Sequence, residues 1–202
     1  FDLDCTEWTT MASARGVDFS PDGSYFVIVA TGGAYPRGVC DAAARFETAN
    51  VSANAAPTWI NWTGGETLYS VAITGAAVYV GGHQRWLDDG EVSRPGIGAI
   101  DPVTGLALAW NPTKSRNHGT MVLYPTPQGL WVGSDGEEFG HEDHAGIGFA
   151  PLGDDDMTTE GLTAPGDSSV PAPGGDADGT DGDSTDGDST DTGWPASRLG
   201  VA

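Results

Sequence analysis

VDFSPDGSYFVIVATGG, residues 17–33, is the stretch on which the fold is decided. It is an apolar run, a tight turn at Asp22-Gly23, a second apolar run and a small-residue exit. β-Branched and aromatic residues bounded by Pro, Asp and Gly are the signals of paired strands. The same template returns in LYSVAITGAAVYVGG (68–82) and in MVLYPTPQGLWVGS (121–134). Its turn glycines, Gly23, Gly75 and Gly129, lie 52 and 54 residues apart. A second marker runs in step: Trp8, Trp62 and Trp110 sit in EWTT, NWTG and AWNP, at intervals of 54 and 48.

Between the markers lies another strand pair, clearest where IGAI and LALAW flank the turn at 101–105. Four strands in about 50 residues is the size of one β-propeller blade. The expected class is therefore all-β, a partial β-propeller of three four-stranded blades plus one strand of a preceding blade. Blade A is expected to have strands near 16–20, 24–31, 42–48 and 57–62, and blade B near 68–74, 77–83, 96–101 and 106–111. Blade C has 120–126, 129–134 and 146–152, with no fourth strand of its own. Residues 1–8, ending in Trp8, read as the outer strand of an earlier blade. Rings close with about four to eight blades, so further blades upstream are expected, with the true N-terminus supplying the missing strand of blade C. A β-sandwich with chance spacing is the alternative.

Past residue 152 the strand pattern stops. GDADGTDGDSTDGDSTDTG has no large apolar side chain to bury, and its carboxylates repel one another. Such a segment cannot offset its ordering entropy. Residues 1–152 are thus read as the C-terminal part of a propeller and 153–202 as a disordered acidic linker. The 202-residue chain carries a net charge of −21, and Lys114 is its only lysine. That balance excludes a phosphate-binding face for nucleic acid and docking on an anionic membrane. No apolar run approaches the roughly 18 residues of a membrane helix. Cys5 and Cys40 fit neither a CxxC redox motif nor a zinc site; one disulfide or two buried thiols are the open readings.

VDFSPDGSYFVIVATGG, CDAAARFE, VAITGAAVYVGGHQRW, RPGIGAIDPVTGLALAWNP and GLWVGSDGEEFG together resemble the C-terminal blades of large secreted actinobacterial β-propeller proteins. Those often carry PKD, malectin-like or LamG-like modules downstream. The resemblance covers residues 1–152 and implies a secreted or cell-surface location, with further domains beyond both ends. It brings no catalytic residues with it.

Loops between second and third strands, and between blades, emerge at one end of a blade. Here they are 33–41, 84–95, 112–119 and 135–145; they hold His118, His141 and His144, and His83 directly precedes the second of them. The candidate ligand-binding residues are His83, Arg85, Trp86, Asp135, Glu137, His141 and His144. Arg85 and Trp86 could bind a sugar or carboxylate by forked hydrogen bonds and stacking, or Trp86 could pack between blades while Arg85 pairs with an acid. His141 and His144, with His83 or Asp135, admit a divalent cation; no other cofactor is indicated. In the tail, Asp176, Asp178, Asp181 and Asp183 lack the sixth-position Gly of a calcium loop. Asn50-Val-Ser and Asn61-Trp-Thr match the glycosylation sequon, which matters only in a eukaryotic secreted host. No nucleophile elbow, phosphate loop or dinucleotide fingerprint is present. The expected function is a binding or display module that recognises glycan or protein. The alternatives are an extracellular sugar oxidoreductase, lyase or hydrolase using the same face, or a structural spacer.

Overall fold

Three segments with the same alternation build three sheets of the same design. The computed structural model describes residues 13–32, 38–115 and 118–151. Over these residues the protein is all-β, with several antiparallel sheets and no α-helix. Repeat A consists of β1 (Ser13–Phe19), β2 (Tyr25–Thr31), β3 (Ala42–Glu47) and β4 (Trp59–Trp62), paired in that order. Repeat B has β5 (Leu68–Ile73) and β6 (Val78–Gly82), then a small hairpin of β7 (Trp86–Leu87) and β8 (Val92–Ser93), then β9 (Ile97–Ile100). Repeat C follows the same plan with β10 (Thr120–Thr126), β11 (Gly129–Ser134), the hairpin β12 (Glu138–Phe139) and β13 (Glu142–Asp143), and β14 (Ile147–Pro151).

The first strand pair of every repeat carries an irregularity at the same place. The register shifts between Ala14 and Gly16, between Leu68 and Ser70, and between Thr120 and Val122. The extra residues are Arg15, Tyr69 and Met121. A bulge bends its strand and fixes register, so its recurrence ties the repeats together more firmly than hydrophobic spacing does.

Side chains alternate across each sheet, and the two faces have different partners. The rear face of repeat A (Tyr25, Val27, Val29, Ala43, Trp59) meets the front face of repeat B (Leu68, Ile73, Val78, Val80, Leu87, Ile100) in one buried cluster. The rear face of repeat B (Ala72, Tyr79, Ile97, Ala99, Trp110) meets the front face of repeat C (Leu123, Leu130, Val132, Phe139, Ala150) in another. Polar bonds stitch the same seams. Asp18 Oδ2 accepts the Ile73 amide at 2.7 Å, Arg45 Nη1 donates to the Pro102 carbonyl at 2.6 Å, and Ser70 Oγ donates to the Thr120 carbonyl at 3.0 Å.

Two expectations need correction. The fourth strand of repeat B, expected at 106–111, is reduced to a single bridge between Ile100 and Ala107. Its backbone is drawn elsewhere: Arg94 Nη2 takes the Leu108 carbonyl and the Asp88 carboxylate takes the Ala107 amide. Segments 84–95 and 135–145, expected as loops, each contain a hairpin, and Asp88–Gly90 forms a 3₁₀ turn. The expectations for residues 1–8 and for the 153–202 linker, including its calcium reading, lie outside the described residues. No helix among the described residues is long and apolar enough to cross a membrane.

Candidate functional site

The hairpins of repeats B and C are pinned at their bases by the same three bonds. In repeat B the amides of Arg94, Gly96 and Gly82 donate to the carbonyls of Arg85, Gln84 and Gly96. In repeat C the amides of His144, Gly146 and Ser134 donate to Glu137, Gly136 and Gly146. The connector arriving from the preceding repeat braces each hairpin from behind. In repeat C, Lys114 bridges to Phe139, and Ser115 Oγ accepts the amides of Glu137 and Glu138 at 3.2 and 3.1 Å. In repeat B, Arg85 Nε lies 3.2 Å from Glu66 Oε1 in that connector.

This frame decides what each candidate side chain does. Arg85 pairs with Glu66 while its guanidinium lies 5.5 Å from the Trp86 ring centre. Trp86 packs against the connector, where a Cβ on Gly64 would stand 3.6 Å from the indole. Of the two readings of this pair, the structure contains the packed and ion-paired one, although half of the Arg85 side chain still faces solvent. The His83 amide donates to the Thr67 carbonyl at 2.8 Å. Asp135 stands at the matching position in repeat C. It accepts the amides of His118 and Gly119, each at 2.9 Å, and His118 Nδ1 at 2.6 Å. Burial alone would raise the Asp135 pKa, but these donors outweigh it and hold the carboxyl below the usual range. Burial pushes the Lys114 ammonium down, with Asp135 opposing.

Glu137 is exposed on the rim. His141 forms the hairpin tip with Gly140, both at positive φ (65° and 63°), as a two-residue hairpin turn requires. His144 Nε2 lies 3.3 Å from Glu142 Oε2. The candidates therefore do not share one set of partners: Arg85 is held to Glu66, Asp135 to His118 and Gly119, and His144 to Glu142. Among the described residues no cluster of three or more His, Cys, Asp or Glu could hold a metal ion, which leaves the His141/His144 cation reading without a ligand set.

Several site-forming residues were not legible in the sequence. Asn61 is buried; it donates to the Gly105 carbonyl at 2.8 Å and to Asp88 Oδ1, and accepts the Asp88 amide at 2.9 Å. That bond set sequesters the second sequon in the folded state, whereas Asn50 is exposed. Gln84 is fully buried at the base of the repeat B hairpin, and neither of its carboxamide atoms makes a hydrogen bond. Cys40 is buried and disulfide-bonded; its expected partner, Cys5, lies outside the described residues.

A groove of about 390 Å³ runs along β14, lined by Trp110, Asn111, Phe139, Glu142, His144 and Phe149 among others. His144 is the only sequence candidate in its wall. Repeat B shows what this groove corresponds to. There the matching backbone, Ala99 to Asp101, takes bonds from the returning chain: Leu108 N to Ala99 O at 2.8 Å and Asp101 N to Leu106 O at 2.8 Å. The groove of repeat C runs along the strand edge that takes the returning chain in repeat B. Pro151 stands where Asp101 stands in repeat B, and it lacks the N–H that starts that return.

No protein-family model, curated protein or solved structure matches the chain.

Proposed function

We propose that this chain is the C-terminal part of a β-propeller that serves as a secreted or cell-surface binding or display module. It recognises a glycan or protein partner through the face that carries the two hairpins. The observation that carries the reading is the pair of hairpins itself. Successive repeats insert them at the same end, each braced from behind by a connector, so their outward side chains are held while the sheets below repeat. The opposite end, at Asp22-Gly23 and residues 101–105, is spent on turn geometry: Asp22 accepts from Ser20 and Ser24, and Asp101 from Val103 and Thr104.

On the hairpin face the half-exposed Arg85 guanidinium beside Trp86 offers forked donors next to an aromatic surface. Exposed Glu137, Glu138 and Glu142 favour neutral polyhydroxylated ligands over anionic ones. The disulfide at Cys40 supports an oxidising compartment. The test is a glycan array and a surface-protein capture screen with the whole chain, repeated with Arg85→Ala and Glu137→Ala. Loss of the captured ligand with an unchanged melting curve supports the assignment. A ligand whose footprint maps to the 21–23 and 101–105 end overturns it.

A further inference from the structure

Repeats B and C join connector to second strand in different ways. One step beyond the paired residues, Thr67 faces His83 in repeat B and Gly119 faces Asp135 in repeat C. In repeat B the joint is a backbone bond, from the His83 amide to the Thr67 carbonyl at 2.8 Å. In repeat C a side chain takes that place. The Asp135 carboxylate accepts the His118 and Gly119 amides, each at 2.9 Å, and its Oδ2 also meets His118 Nδ1 at 2.6 Å. The backbone donors fix the carboxylate, and the fixed carboxylate orients the ring. Asp135 is ionised across the neutral range, since its donors hold its carboxyl below the usual values. An ionised carboxylate only accepts, so the ring proton sits on Nδ1 and Nε2 keeps a free lone pair. The His118 side chain is 89 % exposed, and its Nε2 bonds to nothing among the described residues.

The ring stands at the seam of the two repeats. Gly119, beside it, has a φ of 120° and runs so close to repeat B that a Cβ would lie 2.1 Å from the Gly82 carbonyl oxygen and 2.8 Å from the His83 nitrogen. His118 thus sits between the base of the repeat B hairpin, which follows His83, and that of the repeat C hairpin, which follows Asp135. In repeat B the matching connector residue is Glu66, already engaged by Arg85. We propose that His118 is the hydroxyl-recognition group of the hairpin face: its Nε2 accepts a hydrogen bond from a hydroxyl of a neutral glycan lying across the B–C seam, with Asp135 as its positioning residue. This rests on the hairpin-face reading above and commits it to one ligand class. Glu137 and Glu138, which follow Asp135, are exposed and are acceptors as well. Such an acceptor-rich seam selects a ligand rich in O–H donors and free of negative charge, as a neutral oligosaccharide is. The half-exposed Arg85 guanidinium on the other hairpin supplies forked donors for the sugar oxygens.

Two measurements on the full 202-residue chain test this. The first is long-range nitrogen–proton NMR correlation of the histidine rings at mildly alkaline pH, with His118 assigned by its loss in His118→Phe. The expected ring is protonated on Nδ1 and bare on Nε2. Asp135→Asn removes the charge that holds the proton on Nδ1, and the proton moves to Nε2, as an unrestrained imidazole prefers. The second is titration calorimetry with maltotriose, cellotriose, mannotriose and chitotriose as probes. The wild-type chain binds at least one of them. His118→Phe and Asp135→Asn each weaken that binding about tenfold, the worth of one hydrogen bond, with an unchanged circular dichroism spectrum. A wild-type ring protonated on Nε2 overturns the proposal. So does full binding by His118→Phe, and so does a wild-type chain that takes none of the probes. A protein captured equally by wild type and His118→Phe, but lost in Arg85→Ala, would refute the glycan assignment while sustaining the function proposed for the hairpin face.

Discussion

Repeats B and C have the same bulge, the same hairpin and the same three bonds at the hairpin base, yet their surfaces differ. Tyr79 and Trp131 hold matching places on β6 and β11. Tyr79 is fully buried and meets Trp110 edge-on at 5.2 Å, while Trp131 is 44 % exposed. At the hairpin turn, Asp88 locks Asn61 and the Ala107 amide together in repeat B, whereas repeat C has Gly140 there and no returning segment among the described residues. The lesson is that a sheet of this kind forms from local pairing, but each face is completed only by a neighbour.

The largest expected contrast is at that aromatic pair. Tyr79→Ala should cost about 3–5 kcal/mol in urea unfolding, as a large side chain removed from a packed seam does. Trp131→Ala should cost no more than about 0.5 kcal/mol. Equal losses would break the comparison. Next comes the lock. Asp88→Gly copies the repeat C residue into repeat B and leaves Asn61 and the Ala107 amide short of acceptors; the expected cost is about 1–3 kcal/mol. A neutral result would mean that the lock does not hold the turn.

Gly98 and Gly148 sharpen the comparison in the other direction. A Cβ at Gly148 would stand 2.6 Å from Phe139 Cγ, the root of a rigid ring, and at Gly98 2.8 Å from Leu87 Cδ1, the tip of a side chain that can turn. Gly148→Ala should therefore cost about 1–3 kcal/mol and Gly98→Ala less, by the same unfolding measurement. His141→Gly should stabilise by roughly 1 kcal/mol, because the left-handed conformation no longer strains a Cβ; an unchanged melting temperature would count against the turn geometry.

The smallest effect concerns pH. The folded-state pKa of Asp135 lies below its unfolded value, so its contribution is present above about 4 and is lost as pH falls through the folded value. Asp135→Asn should flatten the acid limb of stability against pH. An unchanged profile in Asp135→Asn would show that the His118 bracket contributes nothing.

The long strands of the three repeats were legible from residue order alone, because alternation with period two and turn chemistry at Gly23, Gly75 and Gly129 are local properties of the chain; the two small hairpins, expected as loops, and the lone bridge at Ala107, expected as a strand, were not. Other features were decided only in three dimensions. Arg85 and Trp86 admit both a binding reading and a packed, ion-paired one in the sequence, and Glu66 and Gly64 decide between them. Asp135 read as a rim acid until the His118 and Gly119 amides turned towards it. Asn61 read as an accessible sequon until Asp88 and Gly105 closed over it. In each case the deciding partner lies on a different strand or connector, 16 to 44 residues away where hydrogen bonds define it. Burial and pairing at that range depend on how sheets stack, which the pattern within any one strand does not encode. For the same reason the exposure of Val122, Tyr124 and Trp131 is set by the stacking of the three sheets and not by the pattern within β10 or β11.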